Sequence, residues 1–479
     1  MKQQPNIVLI VADEMRGDCV GALGHPDVKT PYLDSLYLQG RAYTNAYSSC
    51  PSCIPARANL HTGLGQRRTG RLGYQDRVPW DYERTMAGEM AKAGYYTQCV
   101  GKMHVHPLRN NLGYHNVDLH DGYLHQYRFP PVAYFEDQRV ADDYFYWLKT
   151  QLGADADVTD TGLDCNSWVA RPWIYEEKYH PTNWVTSRGL DFLRRRDPRQ
   201  PFFLNLSYVR PHAPFDAPQA YFDMYKDKVL TKPKTGDWDD LDARRREGAH
   251  YSSATGPEDP ELIRQQQVGY YACITHLDHQ IGRFLVGLTE HRLMENTVII
   301  FTADHGEMLS DHACVHKARP YQGSVHIPMV IKGPWGMDSV RPGLCEDLVE
   351  LRDVMPTVLD IAGAKSPDLD GQSMLRPIHR DLLHCEHEYG EKSFQMMLSK
   401  TDKYIWFSQT GVEQYFDLVK DQDETHNAIL DADKQDRIRE LRQALIETLK
   451  DSDEGYSDGR ELIVGRPPQV LLRSVYPQS

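Results

Sequence analysis

Residues 50–63, with the sequence CPSCIPARANLHTG, carry the signals for the start and the end of one helix. Cys53 stands just before the predicted start, Pro55 suits the first turn because its missing N–H costs nothing there, and the closing Thr-Gly pair is typical of a helix end. The first turn of a helix has unpaired N–H groups and the positive end of the helix dipole, so it favours an anion. Arg57 follows one turn later and can point back to the same place. The stretch therefore predicts an anion site around Cys53.

The chain on both sides of this stretch alternates strand and helix patterns. Nearly continuous apolar runs predict buried strands, and stretches with helical periodicity lie between them. The predicted strands are 6–12, 95–100, 201–208, 297–303 and 328–331. The predicted helices are 30–40, 85–93, 182–195 and 262–291. Such alternation predicts an α/β fold with a mostly parallel central sheet flanked by helices.

The pattern changes after about Leu375. Residues 404–407 and 413–418 are typical of paired antiparallel strands, and residues 433–449 of a helix packed on them. We therefore predict a large α/β domain over 1–375 and a smaller C-terminal antiparallel-sheet subdomain over 376–479. Two stretches have little periodicity: 110–173 is predicted to form long loops over the active face, and 226–260 a surface excursion.

Composition limits the class of partner. The 479 residues carry a net charge of -14, with 40% hydrophobic and 25% charged residues, which is ordinary for a globular protein. The negative charge argues against nucleic acid or an anionic membrane as the partner. We see no apolar signal segment and no run long enough to span a bilayer, so a cytoplasmic location is expected. The 9 cysteines are scattered and odd in number, which argues against a disulfide framework; a redox pair or half of a zinc site at Cys50 and Cys53 is the alternative.

Four predicted strands end in side chains that can do chemistry. The groups that follow them are Asp13-Glu14, Lys102-x-His104, His212 and Asp304-His305. In an open α/β sheet, ligands bind at the carboxyl ends of the strands. We therefore expect these groups to share one edge of the sheet with the helix start at Cys53.

Asp13, Asp304 and His305 form a predicted cation site. Carboxylates favour Ca²⁺, Mg²⁺ or Mn²⁺, and the histidine admits Mn²⁺ or Zn²⁺. The alternative for an Asp-His-Gly tripeptide after a strand is a turn that caps a helix. Asp13 at the end of a matching strand favours the cation site.

Several cationic or titratable side chains complete the predicted site. Lys102, His104 and Lys317 are candidate donors to a tetrahedral oxyanion. His212 lies in a Pro-His-Ala-Pro segment with a stiff backbone, and it is a candidate proton donor to a leaving group. Each of these residues taken alone is more typical of a protein surface, but together they suit a site that needs several cations.

The chain resembles the type I, formylglycine-dependent sulfatases of the alkaline-phosphatase superfamily, and it looks closest to bacterial carbohydrate sulfatases that act on glycosaminoglycan fragments. The resemblance extends from Asn6 to about Gly371, and 403–427 is similar to the terminal strands of that family. The motifs that carry it occur in the family's order: Asp13-Glu14, Cys53-x-Pro-x-Arg57, Gly101-Lys102-x-His104, Pro211-His212-x-Pro214, Asp304-His305-Gly306-Glu307 and Lys317. It implies an alkaline-phosphatase-like fold.

The resemblance also implies cofactors and roles. A maturation enzyme would oxidise Cys53 to formylglycine, and one divalent cation, Ca²⁺ first, with Mn²⁺, Mg²⁺ or Zn²⁺ as alternatives, would be bound by Asp13, Glu14, residue 53, Asp304 and His305. The implied catalytic residues are Cys53, Arg57, Lys102, His104, His212 and Lys317. The chain departs from the family pattern at Glu14, where Asp is common, and at His305, where Asn is frequent. It also has Ala56 where many sulfatases have Ser, which looks like the related phosphonate monoester and phosphodiester hydrolases.

The expected mechanism avoids a stable covalent adduct at residue 53. A plain thiolate attacking sulfate would leave a stable adduct, whereas a hydrated aldehyde offers one hydroxyl for attack and a second for release. His212 would protonate the leaving sugar oxygen, and the cation, Lys102 and Lys317 would stabilise charge on the transferring group. His104 would take the proton during release.

The expected substrate is a small anionic sulfated saccharide derived from a glycosaminoglycan, with a uronyl 2-O-sulfate as the specific expectation. His106 and Arg109 are the candidate substrate-binding residues, and His115, His120 and His125 belong to the same predicted sugar pocket; a solvated loop is the alternative for this segment. Two other functions stay open. One is a phosphonate monoester or phosphodiester hydrolase on the same scaffold, and the other is a non-catalytic sugar-binding relative.

Overall fold

The computed structural model describes residues 4–122, 142–241, 255–365 and 368–477. Its larger part is built on a sheet of eight strands. In chain order these are β1 (Asn6–Asp13), β2 (Arg41–Tyr47), β3 (Tyr96–Gly101), β4 (Asn116–Leu119), β5 (Phe202–Pro211), β6 (Thr297–Ala303), β7 (Met329–Lys332) and β8 (Gly343–Glu350). Across the sheet they lie in the order β4-β3-β5-β1-β6-β7-β2-β8.

The centre of the sheet is parallel, as the apolar runs predict. β1 pairs in parallel with β5 on one side and β6 on the other, and every residue of these three strands is buried. β3 continues the parallel order beyond β5. The predicted strand at 328–331 also exists as β7, but it runs antiparallel to both of its neighbours. The fold class is confirmed, and the sheet is mixed on one side.

Two strands on that side were not predicted. β2 and β8 pair with each other in parallel. β2 mixes buried residues with half-buried ones, and β8 has exposed, half-buried and buried residues. A strand near a sheet edge is covered less completely than a central strand, so its sequence contains polar residues and lacks the continuous apolar run that marks β1, β5 and β6. This is the physical reason that periodicity did not reveal them.

Helices lie on both sides of the sheet. In chain order they are α1 (Pro31–Gln39), α2 (Cys53–Thr62), α3 (Gln66–Thr69), α4 (Met86–Lys92), α5 (Asp143–Leu152), α6 (Pro181–Arg195), α7 (Gln219–Asp223), α8 (Pro260–Glu290), α9 (Gln322–Val325), α10 (Val354–Ala362) and α11 (Gln435–Leu449). α1 and α6 both pack on α8, and α2, α4 and α10 form a second packed group. The predicted helices at 30–40, 85–93, 182–195, 262–291 and 433–449 are all present.

The prediction of long loops over 110–173 is wrong in part. β4 pairs with β3 at one edge of the sheet, and α5 forms a helix in which Tyr144, Phe145 and Leu148 are buried. The side chain of Asp142 caps α5 by accepting the Phe145 N–H. The helical periodicity of α5 is carried by aromatic residues in a segment rich in aromatic and polar residues throughout, so it did not stand out. Residues 123–141 of this segment, with His125, lie outside the described residues, as do 242–254 of the predicted surface excursion.

A second, antiparallel sheet follows. Its strands are β9 (Leu383–His387), β10 (Phe394–Leu398), β11 (Asp402–Phe407) and β12 (Glu413–Asp417), in the order β12-β11-β10-β9, and α11 packs on β10 and β11. The predicted boundary between residues 375 and 376 falls in the connection from α10 to this sheet. None of the helices in the described ranges is both long and apolar enough to cross a membrane.

Candidate active site

The strand order brings the predicted chemical groups to one edge. β3, β5, β1 and β6 are consecutive neighbours, and their carboxyl ends are followed or closed by Lys102, His212, Asp13 and Asp304. α2 begins at Cys53 beside these ends. The loop with Lys317 is held next to the helix start, because the Ala318 N–H donates to the carbonyl of Pro51 at 2.9 Å.

Cys53 lies at the centre of this group. Its Sγ is 3.3 Å from His305 Nε2, 3.7 Å from Asp13 Oδ1 and 3.7 Å from Lys102 Nζ. The side chain is buried, and burial together with Asp13 raises the pKa of the thiol to about 11. Near neutral pH the unmodified side chain is therefore a protonated thiol, which is a weak nucleophile.

A buried set of four ligands surrounds the same point. Atoms of Asp13, Cys53, Asp304 and His305 all lie within 4.8 Å of one another. His305 Nδ1 is 2.9 Å from the Gly306 carbonyl, so it carries the proton and leaves the lone pair of Nε2 facing Cys53. Although burial opposes ionisation, Lys102 and other nearby cations hold the pKa of Asp13 well below its usual range. Two carboxylates and an imidazole lone pair fit a divalent cation.

Arg57 points back from α2 into this site. Its Nε donates to Asp304 Oδ2 at 2.9 Å, and its Nη1 donates to the Lys102 carbonyl at 2.9 Å and to Ser207 Oγ at 2.8 Å. Its Nη2 is 4.0 Å from Asp13 Oδ2 and has no hydrogen-bond partner among the described residues. Arg57 thus orients Asp304, a candidate metal ligand, through its Nε, while its Nη2 can donate a hydrogen bond to a bound anion.

Two lysines flank the residue 53 position. Lys102 Nζ makes a short contact with Asp13 Oδ2. Burial opposes the charge of Lys102, but Asp13, Cys53 and Asp304 together outweigh burial and raise the pKa of this lysine. Lys317 Nζ lies 3.0 Å from Glu14 Oε2. Burial opposes its charge too, but Glu14, Cys53 and Asp13 together raise the pKa of Lys317. Both lysines are therefore cationic, and they place two positive charges beside residue 53.

His212 is bound to one of these lysines. Its Nδ1 is 2.7 Å from the Ala213 carbonyl, and its Nε2 is 2.5 Å from Lys317 Nζ and 3.2 Å from Glu14 Oε2. Burial and Lys317 lower the pKa of His212 well below its ordinary value. The imidazole is therefore neutral, with Nδ1 donating to Ala213 and Nε2 accepting from Lys317.

Glu14 differs from the other predicted metal ligands. Its backbone N–H donates to Asp304 Oδ1 at 3.1 Å, but its carboxylate turns toward Lys317 and His212. It is outside the four-ligand set and belongs to a different group, with Glu307 and His316.

His104 is buried in the loop that follows β3. Asp121 Oδ1 accepts the N–H groups of Met103 and His104 at 2.9 Å each. His104 Nε2 lies 3.4 Å from the hydroxyl of Tyr74, whose side chain is 43% exposed. Tyr74 and Asp121 were not predicted, because neither directly follows one of the apolar strands that mark the site in the sequence.

Four residues of the predicted sugar pocket, His106, Arg109, His115 and His120, lie in the described part of the chain. Arg109 forms a bidentate ion pair with Asp143 at 2.7 and 2.9 Å. His115 stacks on Tyr96 near the start of β3. His120 is buried, with its Nδ1 3.2 Å from Asp142 Oδ2. His106 is half-buried in the turn after β3.

The second sheet contributes one residue that sequence reasoning missed. His387, at the end of β9, has its Nε2 2.9 Å from Ser52 Oγ, directly before Cys53. No local motif marks His387; only the docking of the second sheet brings it there.

Comparison with known proteins agrees with this geometry. A family model described as Sulfatase matches residues 5–364. The arylsulfatase of Clostridium perfringens (strain 13 / Type A) is 46% identical over 476 residues, which cover 98% of this chain and 99% of that protein. The chain therefore belongs to the sulfatase family. It is an enzyme of the sulfuric ester hydrolase class.

Solved structures show the same fold at low identity. The phosphonate monoester hydrolase of Agrobacterium radiobacter superposes with a TM-score of 0.76 at 24% identity, over 92% of this chain and 95% of that chain. A protein solved in complex with its substrate D-glucosamine-2-N,6-O-disulfate superposes with a TM-score of 0.73 at 18% identity, over 93% and 98%. A relative from Trinickia caryophylli, described as a multifunctional alkaline phosphatase superfamily protein, is 30% identical over 478 residues, which cover 88% of this chain and 90% of that protein. The fold is therefore that of the alkaline-phosphatase superfamily.

Proposed function

We propose that this enzyme hydrolyses the sulfate ester of a small glycosaminoglycan-derived saccharide, through a formylglycine formed from Cys53 by a maturation enzyme. The observation that carries the proposal is the place of residue 53, whose Sγ lies 3.3 Å from His305 Nε2 and 3.7 Å from both Asp13 Oδ1 and Lys102 Nζ. A structural neighbour whose substrate is a sulfated glucosamine supports the saccharide class.

The state of Cys53 supports its conversion. A protonated thiol with a pKa of about 11 attacks poorly, so the unmodified residue is a weak candidate for the nucleophile. Formylglycine in its hydrated form supplies a hydroxyl nucleophile and a second hydroxyl that allows sulfate to leave. The oxygen would take the place that Sγ occupies between His305 and Lys102.

The chain's own residues would bind the sulfate group. Lys102, Lys317 and Nη2 of Arg57 would offer donors near residue 53, where they can stabilise the negative oxygens as charge develops. Asp13, Asp304 and His305 would hold a divalent cation, which supplies further positive charge at the reacting oxygens. We propose Ca²⁺, because conversion of residue 53 leaves oxygen as the main ligand type.

The leaving group needs a proton. When the bond between sulfur and the sugar oxygen breaks, the sugar leaves as an alkoxide unless it is protonated. His212 is neutral and accepts from Lys317, so we assign the proton to the His212–Lys317 pair and not to His212 alone. His104, whose Nε2 is 3.4 Å from the Tyr74 hydroxyl, is the proposed base for release.

A parallel assay tests the proposal. The substrates are an aryl sulfate, an aryl phosphonate and a panel of defined sulfated disaccharides that includes a uronyl 2-O-sulfate and a glucosamine 6-O-sulfate. We expect the highest kcat/KM on a sulfated disaccharide. Arg109 was the expected partner of a uronate carboxylate, but it is already paired with Asp143 at 2.7 Å.

Two outcomes would contradict the proposal. Faster turnover of the phosphonate than of every sulfate would favour the phosphonate hydrolase alternative, which Ala56 leaves open. Unchanged turnover in Cys53→Ala would refute the role of residue 53. Peptide mass measurement of residue 53 in the active enzyme checks the formylglycine independently.

A further inference from the structure

A second group of buried metal-ligand side chains lies next to the active site. Ligand atoms of Glu14, Glu307 and His316 all lie within 4.8 Å of one another. None of these residues belongs to the set formed by Asp13, Cys53, Asp304 and His305. Glu14 and Glu307 are fully buried, and His316 is 8% exposed.

Each of the three side chains has a polar atom without a hydrogen bond. Glu307 Oε1 accepts the N–H groups of Leu309 and His316 at 2.8 and 2.5 Å, but Glu307 Oε2 has no partner in the described ranges. Glu14 Oε1 and both ring nitrogens of His316 also have no hydrogen-bond partner among the described residues. Buried polar atoms are almost always paired in folded proteins, so this concentration indicates a missing ligand.

The charges of the surrounding residues point to a cation. Lys317 compensates Glu14 through Oε2 at 3.0 Å. Among the described residues, the carboxylate of Glu307 has no cationic side chain at hydrogen-bond distance, and its nearest imidazole atom is His316 Nδ1, 3.7 Å from Oε2. Arg16 lies close, but its guanidinium binds Asp18, Asp311 and backbone carbonyls instead.

We propose that Glu14, Glu307 and His316 bind a second divalent cation, distinct from the ion of the Asp13 set. Two ligands of one ion at about 2.0–2.4 Å are at most about 4.8 Å apart, so the three side chains need little movement to reach a common ion. Two carboxylates with one imidazole suit Mn²⁺ or Zn²⁺ better than Ca²⁺. Because Glu14 Oε2 is 3.0 Å from Lys317 Nζ and 3.2 Å from His212 Nε2, this ion would share a ligand residue with the contacts of the His212–Lys317 pair.

Equilibrium dialysis of the purified full chain against Mn²⁺ tests the proposal. We expect two ions per wild-type chain and one in His316→Phe, which keeps a ring of similar size. Glu307→Gln is the second variant, since its amide oxygen can still accept from Leu309 and His316, and it should also bind one ion. Asp304→Asn is the matched control: it weakens the other set and should retain the ion at Glu14, Glu307 and His316.

The readout is ion stoichiometry, so it is separate from turnover. Near-ultraviolet circular dichroism and a melting curve check that each variant is folded. One ion per wild-type chain would overturn the proposal and would mean that a proton satisfies this group. Two ions in both His316→Phe and Glu307→Gln would overturn it as well. A sulfatase that is active with a single bound ion would refute the second site and leave the proposed function intact.

Discussion

The substitution Asp216→Asn probes how the chain holds His212 in place. Asp216 forms a bidentate ion pair with Arg210: Arg210 Nε donates to Asp216 Oδ1 at 2.5 Å, and Arg210 Nη2 donates to Asp216 Oδ2 at 2.6 Å. Both side chains are buried. Arg210 Nη1 in turn donates to the carbonyl of His212 at 3.2 Å. The Arg210–Asp216 pair therefore fixes the turn that carries His212, one member of the His212–Lys317 pair to which the proton is assigned.

The expected cost follows from burial. Removing one charge of a buried ion pair leaves the other uncompensated, which destabilises a fold by about 3–5 kcal/mol. His180 loses part of its environment too, since its Nε2 is 3.4 Å from Asp216 Oδ1. A displaced His212 should lower kcat on a sulfated saccharide more than on an aryl sulfate, because an aryl oxide leaves without a proton.

Urea unfolding and steady-state kinetics measure the two effects. Asp223→Asn is the matched control: it removes the same charge from an ion pair with Lys226 at 2.8 Å, but on the surface, where such pairs contribute little. Equal loss of stability in the two variants would refute the reasoning about burial. Unchanged saccharide turnover in a folded Asp216→Asn enzyme would refute the positioning of His212.

Four further predictions can be checked with single variants or a chelator. Burial raises the pKa of Glu388 from 4.5 to about 8. Between these pH values the folded state binds more protons than the unfolded state, so the free energy of unfolding should fall as the pH rises, by at most ~1.4 kcal/mol per pH unit. Urea unfolding at several pH values should show a smaller pH dependence in Glu388→Gln. Arg109→Gln should lower the melting temperature and leave KM for a uronyl disaccharide little changed, since Asp143 already binds this side chain; a large rise in KM would restore Arg109 as a substrate ligand. His212→Ala should impair saccharide turnover far more than aryl sulfate turnover, and equal losses would argue against a proton-donating role. Removal of divalent ions with a chelator should abolish turnover while the circular dichroism spectrum persists, and added Ca²⁺ should restore activity; full activity after chelation, with ion loss verified by elemental analysis, would contradict the metal requirement.

Local sequence was sufficient for the elements that build the site. β1, β5 and β6 are covered on both faces, so their sequences are continuous apolar runs, and the residues after them are fixed at the carboxyl edge by the parallel arrangement. The start of α2 at Cys53 and its end before Gly63 also follow from local signals, and Gly63 adopts the left-handed backbone, with φ of 67°, that ends many helices. For this reason the amino-acid sequence alone is enough to predict that Asp13, Cys53, Lys102 and Asp304 lie together.

The tertiary structure alone decided where the long side chains point and which segments dock on the site. Glu14 follows Asp13 directly, yet its carboxylate faces Lys317, because a side chain's rotamer is selected by packing against residues far away in the chain. Arg109 pairs with Asp143 because α5 lies beside its turn, and His387 contacts Ser52 because the second sheet packs against the start of α2. Such contacts join residues separated by up to hundreds of positions, and no periodicity or short motif encodes them. The sequence therefore determined the chemical groups at residue 53 and at the neighbouring strand ends, whereas long-range packing determined their partners and charge states.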